Sequence, residues 1–500
     1  MVTAIVDIET DSLDATQIHC IVACEYETGK EKVWIQDECS QFASWSEKID
    51  TFIMHNGVSF DAPILNRLTG SEIKLSQVRD TLIESQLYNP IRDKGHSLAS
   101  WGERLGFPKG EHTEFEYYSP EMLEYCKQDV RVTRKVAQVL EIEAKKFSSR
   151  SYDLERKVRA IVDQQEKNGF CFNLHEAIPL LAGLEDELHI LEDKAQEIFK
   201  PTEVKLVTKT KYIPFNIGSR KQIAERLMKR GWKPTHYTDK GNVIVSEEIL
   251  SKINMPEAEM FSRYFLLQKR TGLLKAWIKA CEDDDRVRGR VMTLRTVTGR
   301  MAHNSPNMAQ VPAVYSPYGK ECRALWTVSN PDTHTLIGTD ASGLELRCLA
   351  HYMDDPDFTN EVVNGDIHTA NMKAAGLTDR DQSKKFIYSF LYGAGPAKIG
   401  KVIGGTPKEG EELITRFLSN MPKLKKLRDD VLKWSKDGTI PALDGRRLHI
   451  RSPHAALNTL LQGAGAIICK QWLVHITDHI RGSGVDAKLV ASIHDEYQFE

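Results

Sequence analysis

Residues 380–393, RDQSKKFIYSFLYG, place Arg380, Lys384 and Tyr388 at four-residue intervals. On a helix this spacing puts the three side chains on one face. A guanidinium, an ammonium and an aromatic ring in a row could bind a polyanion that carries a flat ring, as a nucleoside triphosphate does. Taken alone, the segment is equally well explained as a surface helix with incidental charges.

The neighbouring residues predict that this segment is a helix. Thr378 is in position to cap its N-terminus, Asp381 three residues later would complete a start resembling a capping box, and Gly393 would end it.

Acidic residues lie on either side of the segment. Residues 336–339 are a short apolar run that ends at Asp340, and residues 488–493 are another, followed by Asp495 before residues 497–500 run back as a hairpin. Carboxylates at neighbouring strand ends can hold two Mg²⁺ ions about 4 Å apart, which stabilise the attacking and leaving oxygens of a phosphoryl transfer. The alternative is that both aspartates only end strands.

The ordered segments of residues 290–500 resemble family A DNA polymerases, most closely the replicative enzymes of short-tailed bacteriophages. The segments are TVTGRMAHNSPNMAQVP (296–312), SPYGKECRA (316–324), DASGLELR (340–347), NGDIHTAN (364–371), RDQSKKFIYSFLYGAG (380–395), LDGRRLHIRSPHAALNTLLQGAGA (443–466) and IHDE (493–496). Chance similarity does not explain seven such segments in the same order.

The resemblance implies a role for each matched residue. The expected catalytic and metal-binding residues are Asp340 and Asp495, with Glu496 assisting. The expected nucleotide-binding residues are Arg380, Lys384 and His368 on the phosphates, Tyr388 on the sugar and base, and Glu345 as a steric gate against a ribose 2′-hydroxyl. Tyr388, where other members have Phe, predicts that a dideoxynucleotide is incorporated as readily as its normal counterpart.

Contacts with primer-template DNA follow from the same resemblance. The expected residues are Arg300, Gln310, Asn458, Gln462 and His454 near the primer end, and Tyr392 beside the template base. Minor-groove acceptors are present in every base pair, so such donors can test pair geometry without reading sequence. For His454 and Asn458, an ordinary structural role remains a real alternative.

The N-terminal third contains a second set of acidic residues. Residues 5–8 read as a strand, on which Asp7 and Glu9 would point the same way because strand side chains alternate. Asp61 follows in HNGVSFD, and Tyr125 precedes Asp129 by four residues in a predicted helix that begins at 120. Four carboxylates and a tyrosine could hold two metal ions and an attacking water.

This pattern resembles the DEDDy proofreading 3′ to 5′ exonucleases. The resemblance implies that Asp7, Glu9, Asp61 and Asp129 bind metal and that Tyr125 orients the water. An Asp-x-Glu pair alone is a weak signal, but the three segments occur in the right order. We therefore expect an active proofreader that requires Mg²⁺, with two ions in each active site.

Composition excludes several classes of protein. The 500 residues exceed one ordinary core and suggest about three domains. Without a signal peptide or an apolar run near the ~20 residues of a membrane helix, the chain is expected in a cytoplasm, here that of an infected bacterial host.

Nine scattered cysteines without CxxC argue against a zinc site or a disulfide framework. A net charge of −3 is compatible with local basic runs at 205–211, 286–300 and 423–428.

The expected fold class is α/β and α+β. An RNase H-like exonuclease domain would occupy residues 1–147, and a charged run at 141–156 would form a helical bridge. A right-hand polymerase domain would occupy 148–500. Its thumb is expected at about 175–275, with amphipathic helices near 175–199 and 218–230. The palm is expected at about 285–344 and 444–500, and the fingers at about 346–440.

Two departures from the family pattern affect partners and activity. Phage relatives that use host thioredoxin carry a long thumb insertion, whereas only residues 201–214 separate the predicted helix from the FNIGSR segment, so thioredoxin binding is not expected. Family members also continue for several dozen residues beyond the position of Glu500, which predicts a polymerase domain without its extreme C-terminal part. The expected partners are primer-template DNA, deoxynucleoside triphosphates and a replicative helicase-primase.

Three alternatives stay open. A single-subunit RNA polymerase shares the acidic residues, but Glu345 and the exonuclease-like domain argue against it. A nuclease with a silent polymerase half would not need Asp340, Arg380, Lys384 and Asp495 intact. A DNA-coating protein would need neither acidic set.

Overall fold

A computed structural model describes residues 2–205, 210–238 and 240–500. The chain forms two compact units. The first comprises Met1–Lys167, Val291–His303 and Ile337–Phe499, and the second comprises Asn168–Arg290, Asn304–Leu336 and Glu500. Part of the predicted basic run at 205–211 lies outside the described residues. Within the described ranges, no helix combines the length and apolar character needed to cross a membrane.

The elements of the N-terminal third are as follows. The strands are β1 Thr3–Thr10, β2 Ile18–Glu25, β3 Glu31–Ile35, β4 Thr51–Met54 and β5 Val78–Asp80. The helices are α1 Phe42–Ser46, α2 Asp61–Thr69, α3 Thr81–Tyr88, α4 Leu98–Arg104, α5 Pro120–Ala144 and α6 Ser149–Asn168.

The later elements continue this numbering. The strands are β6 Phe170–Phe172, β7 Thr202–Lys205, β8 Thr210–Ile213, β9 Arg286–Val287, β10 Arg290–Met292, β11 Ala302–Asn304, β12 Trp326–Thr327, β13 Ile337–Asp340, β14 Thr439–Pro441, β15 Arg447–His449, β16 Leu489–Ile493 and β17 Glu496–Phe499. The helices are α7 Leu174–Ile198, α8 Arg220–Lys229, α9 Glu247–Leu250, α10 Pro256–Ala280, α11 Gly319–Ala324, α12 Leu344–Met353, α13 Pro356–Val363, α14 Ile367–Ala375, α15 Arg380–Leu391, α16 Pro396–Val402, α17 Pro407–Asn420, α18 Pro422–Trp434 and α19 Ala456–Ser483. Short 3₁₀ helices lie at Gln36–Gln41, Leu75–Gln77, Met308–Gln310, Ser435–Asp437 and Pro453–Ala455.

The N-terminal sheet has the order β3-β2-β1-β4-β5. Strand β1 runs antiparallel to β2 and parallel to β4, so it is a central strand. Its even-numbered side chains, such as Val6, pack into one apolar cluster, whereas Ile5 packs into another that includes Met122 and Val130 of α5. The alternation therefore turns the odd-numbered side of β1 toward α5.

The predicted helical bridge at 141–156 is wrong. Helix α5 ends at Ala144 and α6 begins at Ser149. Between them the chain turns, and Phe147 packs against the N-terminal core with its ring centroid 4.7 Å from that of Tyr88. The break in the helix coincides with the packing of this partly buried ring.

Helix α6 contacts two parts of the first unit. On one side, the Tyr152 hydroxyl accepts a hydrogen bond from the backbone N–H of Asp80 at 2.5 Å, and Arg156 donates to the carbonyl of Val78 at 3.2 Å. On the other side, Glu155 accepts hydrogen bonds from Lys470 at 2.6 Å and from Arg446 at 2.6 Å. All three of these charged side chains are at most 2% exposed.

Replacing Glu155 by alanine should destabilise the first unit by about 3–5 kcal/mol, because the change leaves two buried cations without their shared carboxylate. Denaturant unfolding measures this loss. The matched control is Glu103→Ala, since Glu103 pairs with Lys94 on the surface and an exposed pair contributes about 0–1 kcal/mol. If both variants unfold together, the buried network does not stabilise the fold.

The C-terminal sheet has the order β13-β17-β16, with both pairings antiparallel. The predicted hairpin is present as β16 and β17, and the predicted strand at 336–339 is displaced by one residue to Ile337–Asp340. Helix α19 supports the sheet, because the buried Tyr497 hydroxyl donates to the carbonyl of Cys469 at 2.8 Å.

Helix α15 contains the residues with four-residue spacing. The predicted N-cap at Thr378 is wrong, because Asp379 caps the helix by accepting a hydrogen bond from the N–H of Asp381 at 3.0 Å. Asp379 directly precedes the first helical residue, so its carboxylate takes the capping role in place of the Thr378 hydroxyl. The predicted end is confirmed: Gly393 follows Tyr392 with φ +76°, a conformation that favours glycine.

The second unit contains the two predicted amphipathic helices as α7 and α8. Helix α7 packs against α10, and Arg263 of α10 donates to Glu187 of α7 at 2.6 Å. A cluster of phenylalanine rings that includes Phe199 and Phe261 forms part of its core. A small sheet of order β12-β6-β9 belongs to the same unit.

Candidate active sites

The structure brings Asp7, Glu9, Asp61 and Asp129 together beside β1 of the N-terminal sheet; we call these residues the N-terminal acidic cluster. Asp7 and Glu9 project from β1, Asp61 is the first residue of α2, and Asp129 lies in α5. Glu9 interacts electrostatically with Asp7 and Asp129, and Asp61 interacts with Asp7. The four carboxylates are therefore neighbours in the structure.

Burial and mutual repulsion make this cluster costly without cations. Burial, followed by the charge of Asp129, raises the pKa of Asp7 to about 7. Burial, followed by Asp7 and Asp129, raises the pKa of Glu9 to about 10. Burial also raises the pKa of Asp61 and of Asp129. Bound cations would relieve both effects.

The donor set of the N-terminal acidic cluster fits Mg²⁺, which prefers oxygen ligands. Among the residues that the structure describes, the buried Oδ1 atom of Asp129 has no hydrogen-bond partner, and a free carboxylate oxygen of this kind can bind a metal ion. Ligand atoms of Asp7, Glu9 and Cys126 all lie within 4.8 Å of one another. Cys126 was not predicted, because a position next to Tyr125 on a helix gives no spacing signal.

Tyr125 lies one helical turn before Asp129 in α5 and is surrounded by aromatic and basic groups. Its ring centroid is 5.7 Å from that of His112 and 6.2 Å from that of Phe115. The ammonium of Lys109 lies 4.4 Å from the Tyr125 centroid and also donates to Asp129. Sequence reasoning missed Lys109, because it lies in an irregular segment with no spacing signal.

A second acidic group, Asp340, Asp495 and Glu496, forms at the C-terminal sheet; we call it the C-terminal acidic cluster. Asp340 pairs with Glu496 across β13 and β17, and the N–H of Ala341 donates to the carbonyl of Asp495 at 3.0 Å. Partial burial, then the charges of Asp495 and Glu496, raise the pKa of Asp340. The predicted proximity of these residues is observed, and oxygen donors of this kind suit Mg²⁺.

The turn between β16 and β17 has an unusual backbone at His494, whose φ is +58°. Such a value is uncommon outside glycine and is typical of turns and functional sites. Burial, followed by the charge of His494, lowers the pKa of His303 to about 4. Sequence reasoning gave neither histidine a role of its own.

The Arg380, Lys384 and Tyr388 row is present on α15, with Tyr392 at its C-terminal end. Arg380 is paired with Asp366 at 2.8 and 3.0 Å, an interaction that the sequence did not predict. The ring of Tyr388 lies 6.2 Å from that of His368 and 6.3 Å from that of Tyr392.

The α15 face meets the C-terminal acidic cluster through Glu345. Burial, followed by the charge of Glu345, raises the pKa of Tyr388 and of Tyr392, and Asp495 also contributes at Tyr392. Glu345 is largely buried and accepts a hydrogen bond from Arg300 at 2.7 Å. Arg300 and Glu345, for which the resemblance implied separate roles, therefore form an ion pair.

The residues predicted to contact DNA lie on several elements. Asn458 and Gln462 are four residues apart on α19, so they share a face, and His454 lies in the 3₁₀ helix just before it. His454, Gly393 and Arg428 help to line a cavity of about 520 Å³. Gln310 ends a 3₁₀ helix of the second unit.

Comparison with known proteins identifies the family. The model for DNA polymerase family A matches residues 185–500. The chain is 31% identical to the DNA-directed DNA polymerases of Escherichia phage T7 and of Enterobacteria phage T3, with 98% of this chain and 93% of each relative covered. DNA polymerase I of Bacillus subtilis is 27% identical over 57% of this chain and 35% of its own length. The chain belongs to DNA polymerase family A, as predicted.

A solved structure has the same fold. The POL domain of Pol1 from M. smegmatis, in a complex with DNA primer-template and dNTP, matches with a TM-score of 0.82 at 18% identity, covering 99% of this chain and 88% of that chain. The predicted mixed α/β architecture of a polymerase is therefore confirmed.

Proposed function

We propose that this phage-like family A polymerase extends a primer 3′ end on a DNA template and proofreads with its own 3′ to 5′ exonuclease. One observation carries the proposal: two separate carboxylate clusters occur in one chain, and one of them meets a face that carries Arg380, Lys384 and Tyr388. Such paired sites suit opposite reactions on the same DNA strand end. The proposed divisions are an exonuclease domain at 1–147 and a polymerase domain at 148–500, with thumb, palm and fingers within it.

In the polymerase reaction, Asp340 and Asp495 would hold two Mg²⁺ ions, with Glu496 nearby. Bound Mg²⁺ supplies stabilisation of the attacking and leaving oxygens. The primer 3′-hydroxyl attacks the α-phosphate, and pyrophosphate leaves. Arg380 can turn from Asp366 to the triphosphate at small cost, because both side chains are about half exposed, at 51% and 45%, and exposed pairs contribute little.

The remaining nucleotide contacts follow from the positions of Lys384, His368 and Tyr388 beside Arg380. Lys384 and His368 would bind the phosphates, and Tyr388 would pack on the sugar and base. The Arg300 ion pair fixes Glu345 in place, and a fixed side chain is what a steric gate against a 2′-hydroxyl requires.

For the DNA itself, we propose contacts from Arg300, Gln310, Asn458, Gln462 and His454 near the primer end and from Tyr392 at the template base. These hydrogen-bond donors and rings can contact every base pair regardless of its sequence, as a polymerase that copies any template requires.

In the exonuclease reaction, the N-terminal acidic cluster would hold two Mg²⁺ ions and Tyr125 would orient the attacking water. Water attacks the terminal phosphodiester, and the 3′ nucleotide leaves as a monophosphate. Two observations support a site that is completed by cations: Oδ1 of Asp129 has no hydrogen-bond partner in the described part of the chain, and the pKa values of the cluster are raised.

The direct test uses purified chain, Mg²⁺ and labelled primer-template DNA. We expect extension of a matched primer with deoxynucleotides, and removal of a mismatched 3′ nucleotide when nucleotides are omitted. Extension with ribonucleotides at a similar rate would favour the RNA polymerase alternative. Trimming without extension would favour a nuclease with a silent polymerase half.

Replacing Tyr388 by phenylalanine should lower incorporation of a dideoxynucleotide relative to its normal counterpart by about 10-fold or more, since a lost hydrogen bond in a desolvated site has that effect. Competition between the two nucleotides in a primer-extension assay measures the ratio. Tyr392→Phe is the matched control on the same helix. An equal ratio in the Tyr388 variant and in the unaltered chain would contradict the assigned contact.

Thioredoxin should leave the affinity for primer-template DNA unchanged. The alignments with the phage polymerases extend over 657 positions, more than the 500 residues of this chain, so each relative contains segments that this chain lacks. Fluorescence titration of labelled DNA with and without thioredoxin tests this, and tighter binding on addition would refute it.

We further propose that the polymerase acts together with a replicative helicase-primase in the cytoplasm of an infected bacterial host.

A further inference from the structure

Lys109 is a basic residue inside the N-terminal acidic cluster. Its ammonium donates to Oδ2 of Asp129 and lies 4.4 Å from the centroid of the Tyr125 ring. It also acts electrostatically on Asp7 and Glu9. The Lys109 side chain is 24% exposed and that of Asp129 only 4%, so water screens this interaction weakly.

The backbone around Lys109 is fixed by both neighbouring helices. Gln128 of α5 donates to the carbonyl of Pro108 at 2.8 Å, and the N–H of Phe107 donates to the carbonyl of Gly102 in α4 at 2.9 Å. A Cβ atom at Gly102 would lie 2.8 Å from the backbone nitrogen of Lys109, so only glycine permits this approach. The lysine is therefore held at the cluster, while its long side chain can still change rotamer.

The two oxygens of Asp129 have different environments. Oδ2 accepts from Lys109, whereas the buried Oδ1 has no hydrogen-bond partner within the described ranges 2–205, 210–238 and 240–500. An ion on this carboxylate would lie beside the ammonium, and two cations so close repel each other strongly in a buried site. Binding of the Lys109 ammonium and binding of a metal ion to Asp129 therefore oppose each other.

We infer that Lys109 is the resident counter-ion of the N-terminal acidic cluster, and that a divalent ion binds Asp129 by displacing the Lys109 ammonium. The inference rests on the exonuclease function proposed above. Lys109 thus acts as a positioning residue: it neutralises buried carboxylates before the ion arrives, and metal loading is an exchange of one cation for another.

The first test measures Mn²⁺ binding calorimetrically on the full chain in an Asp340→Asn background, which disables the C-terminal acidic cluster. Lys109→Met keeps the length of the side chain and removes its charge, and it should bind Mn²⁺ about 10-fold more tightly, because one charge-assisted hydrogen bond no longer competes. Lys109→Arg should stay near the unaltered affinity. Lys127→Met is the matched control, since Lys127 pairs with Glu124 at 2.7 Å on the same helix as Asp129.

The origin of the effect is checked by adding Asp7→Asn, which should abolish the tighter binding. Unchanged or weaker Mn²⁺ affinity in a folded Lys109→Met chain overturns the inference. Folding is verified separately by primer extension with Lys109→Met in the chain that keeps Asp340.

A second measurement needs no variant and applies even where Lys109→Met does not fold. Amine acetylation followed by mass spectrometry should modify Lys109 slowly in EDTA and several-fold faster in Mn²⁺, with Lys127 unchanged. Equal labelling of Lys109 in both conditions refutes the exchange. Failure of the proposed function is seen in a different measurement. If the chain shows the cation exchange but does not remove a mismatched 3′ nucleotide, the inference about Lys109 stands and the exonuclease proposal is wrong.

Discussion

Replacing Asp340 by asparagine is expected to reduce primer extension about 10³-fold or more. Asp340 and Asp495 lie side by side at the C-terminal sheet, where the N–H of Ala341 binds the carbonyl of Asp495. Asparagine keeps the shape but removes a charge that a divalent ion needs, and metal stabilisation of the transition state is worth several kcal/mol, with each 1.36 kcal/mol a factor of ten. Single-turnover extension of a matched primer measures the rate.

The control for this variant is Asp486→Asn. Asp486 is exposed and lies just before β16 of the same sheet, so its loss removes an equal charge without touching the cluster. The Asp340 variant should still trim a mismatched 3′ end. A variant that extends primers within tenfold of the unaltered rate would remove Asp340 from the proposed mechanism.

The reciprocal change, Asp7→Asn, should reduce removal of a mismatched 3′ nucleotide about 10³-fold or more and leave extension intact. Asp7 interacts electrostatically with each of the other three carboxylates, Glu9, Asp61 and Asp129. Because burial and Asp129 disfavour its charged form, the neutral amide should not destabilise the metal-free fold. Loss of activity would therefore not reflect unfolding.

Degradation of a 3′ mismatched primer in Mg²⁺, followed on a denaturing gel, measures this activity. Asp14→Asn provides the matched control, since Asp14 is exposed between β1 and β2. If Asp7→Asn trims at the unaltered rate, the N-terminal acidic cluster is not the exonuclease site.

Local sequence rules predicted those features that depend on one element. Alternation along β1 predicted that Asp7 and Glu9 share a side, and the packing of Ile5 against α5 agrees with this. Four-residue spacing predicted the α15 row and the relation of Tyr125 to Asp129. These features follow from the periods of strands and helices, which the chain itself encodes.

Features that depend on two distant segments could not be predicted in this way. The Arg300 to Glu345 ion pair, the Arg380 to Asp366 pair and the Lys109 to Asp129 contact each join residues whose spacing carries no signal. The break between α5 and α6 coincides with the packing of the partly buried Phe147 against the N-terminal core, a tertiary contact that the helical pattern of the charged run does not encode.

Helix α6 also determines how a fragment with only one of the two proposed activities could be made. A fragment cut after residue 147 would lose Tyr152, whose hydroxyl accepts from the Asp80 backbone, and a complementary fragment would lose its anchor on β5. A fragment that keeps only the proposed exonuclease would therefore need α6, together with new partners for the Glu155 carboxylate, which now accepts hydrogen bonds from Arg446 and Lys470. The proposed exonuclease and polymerase regions follow one another in sequence, but helix α6 packs against parts of both.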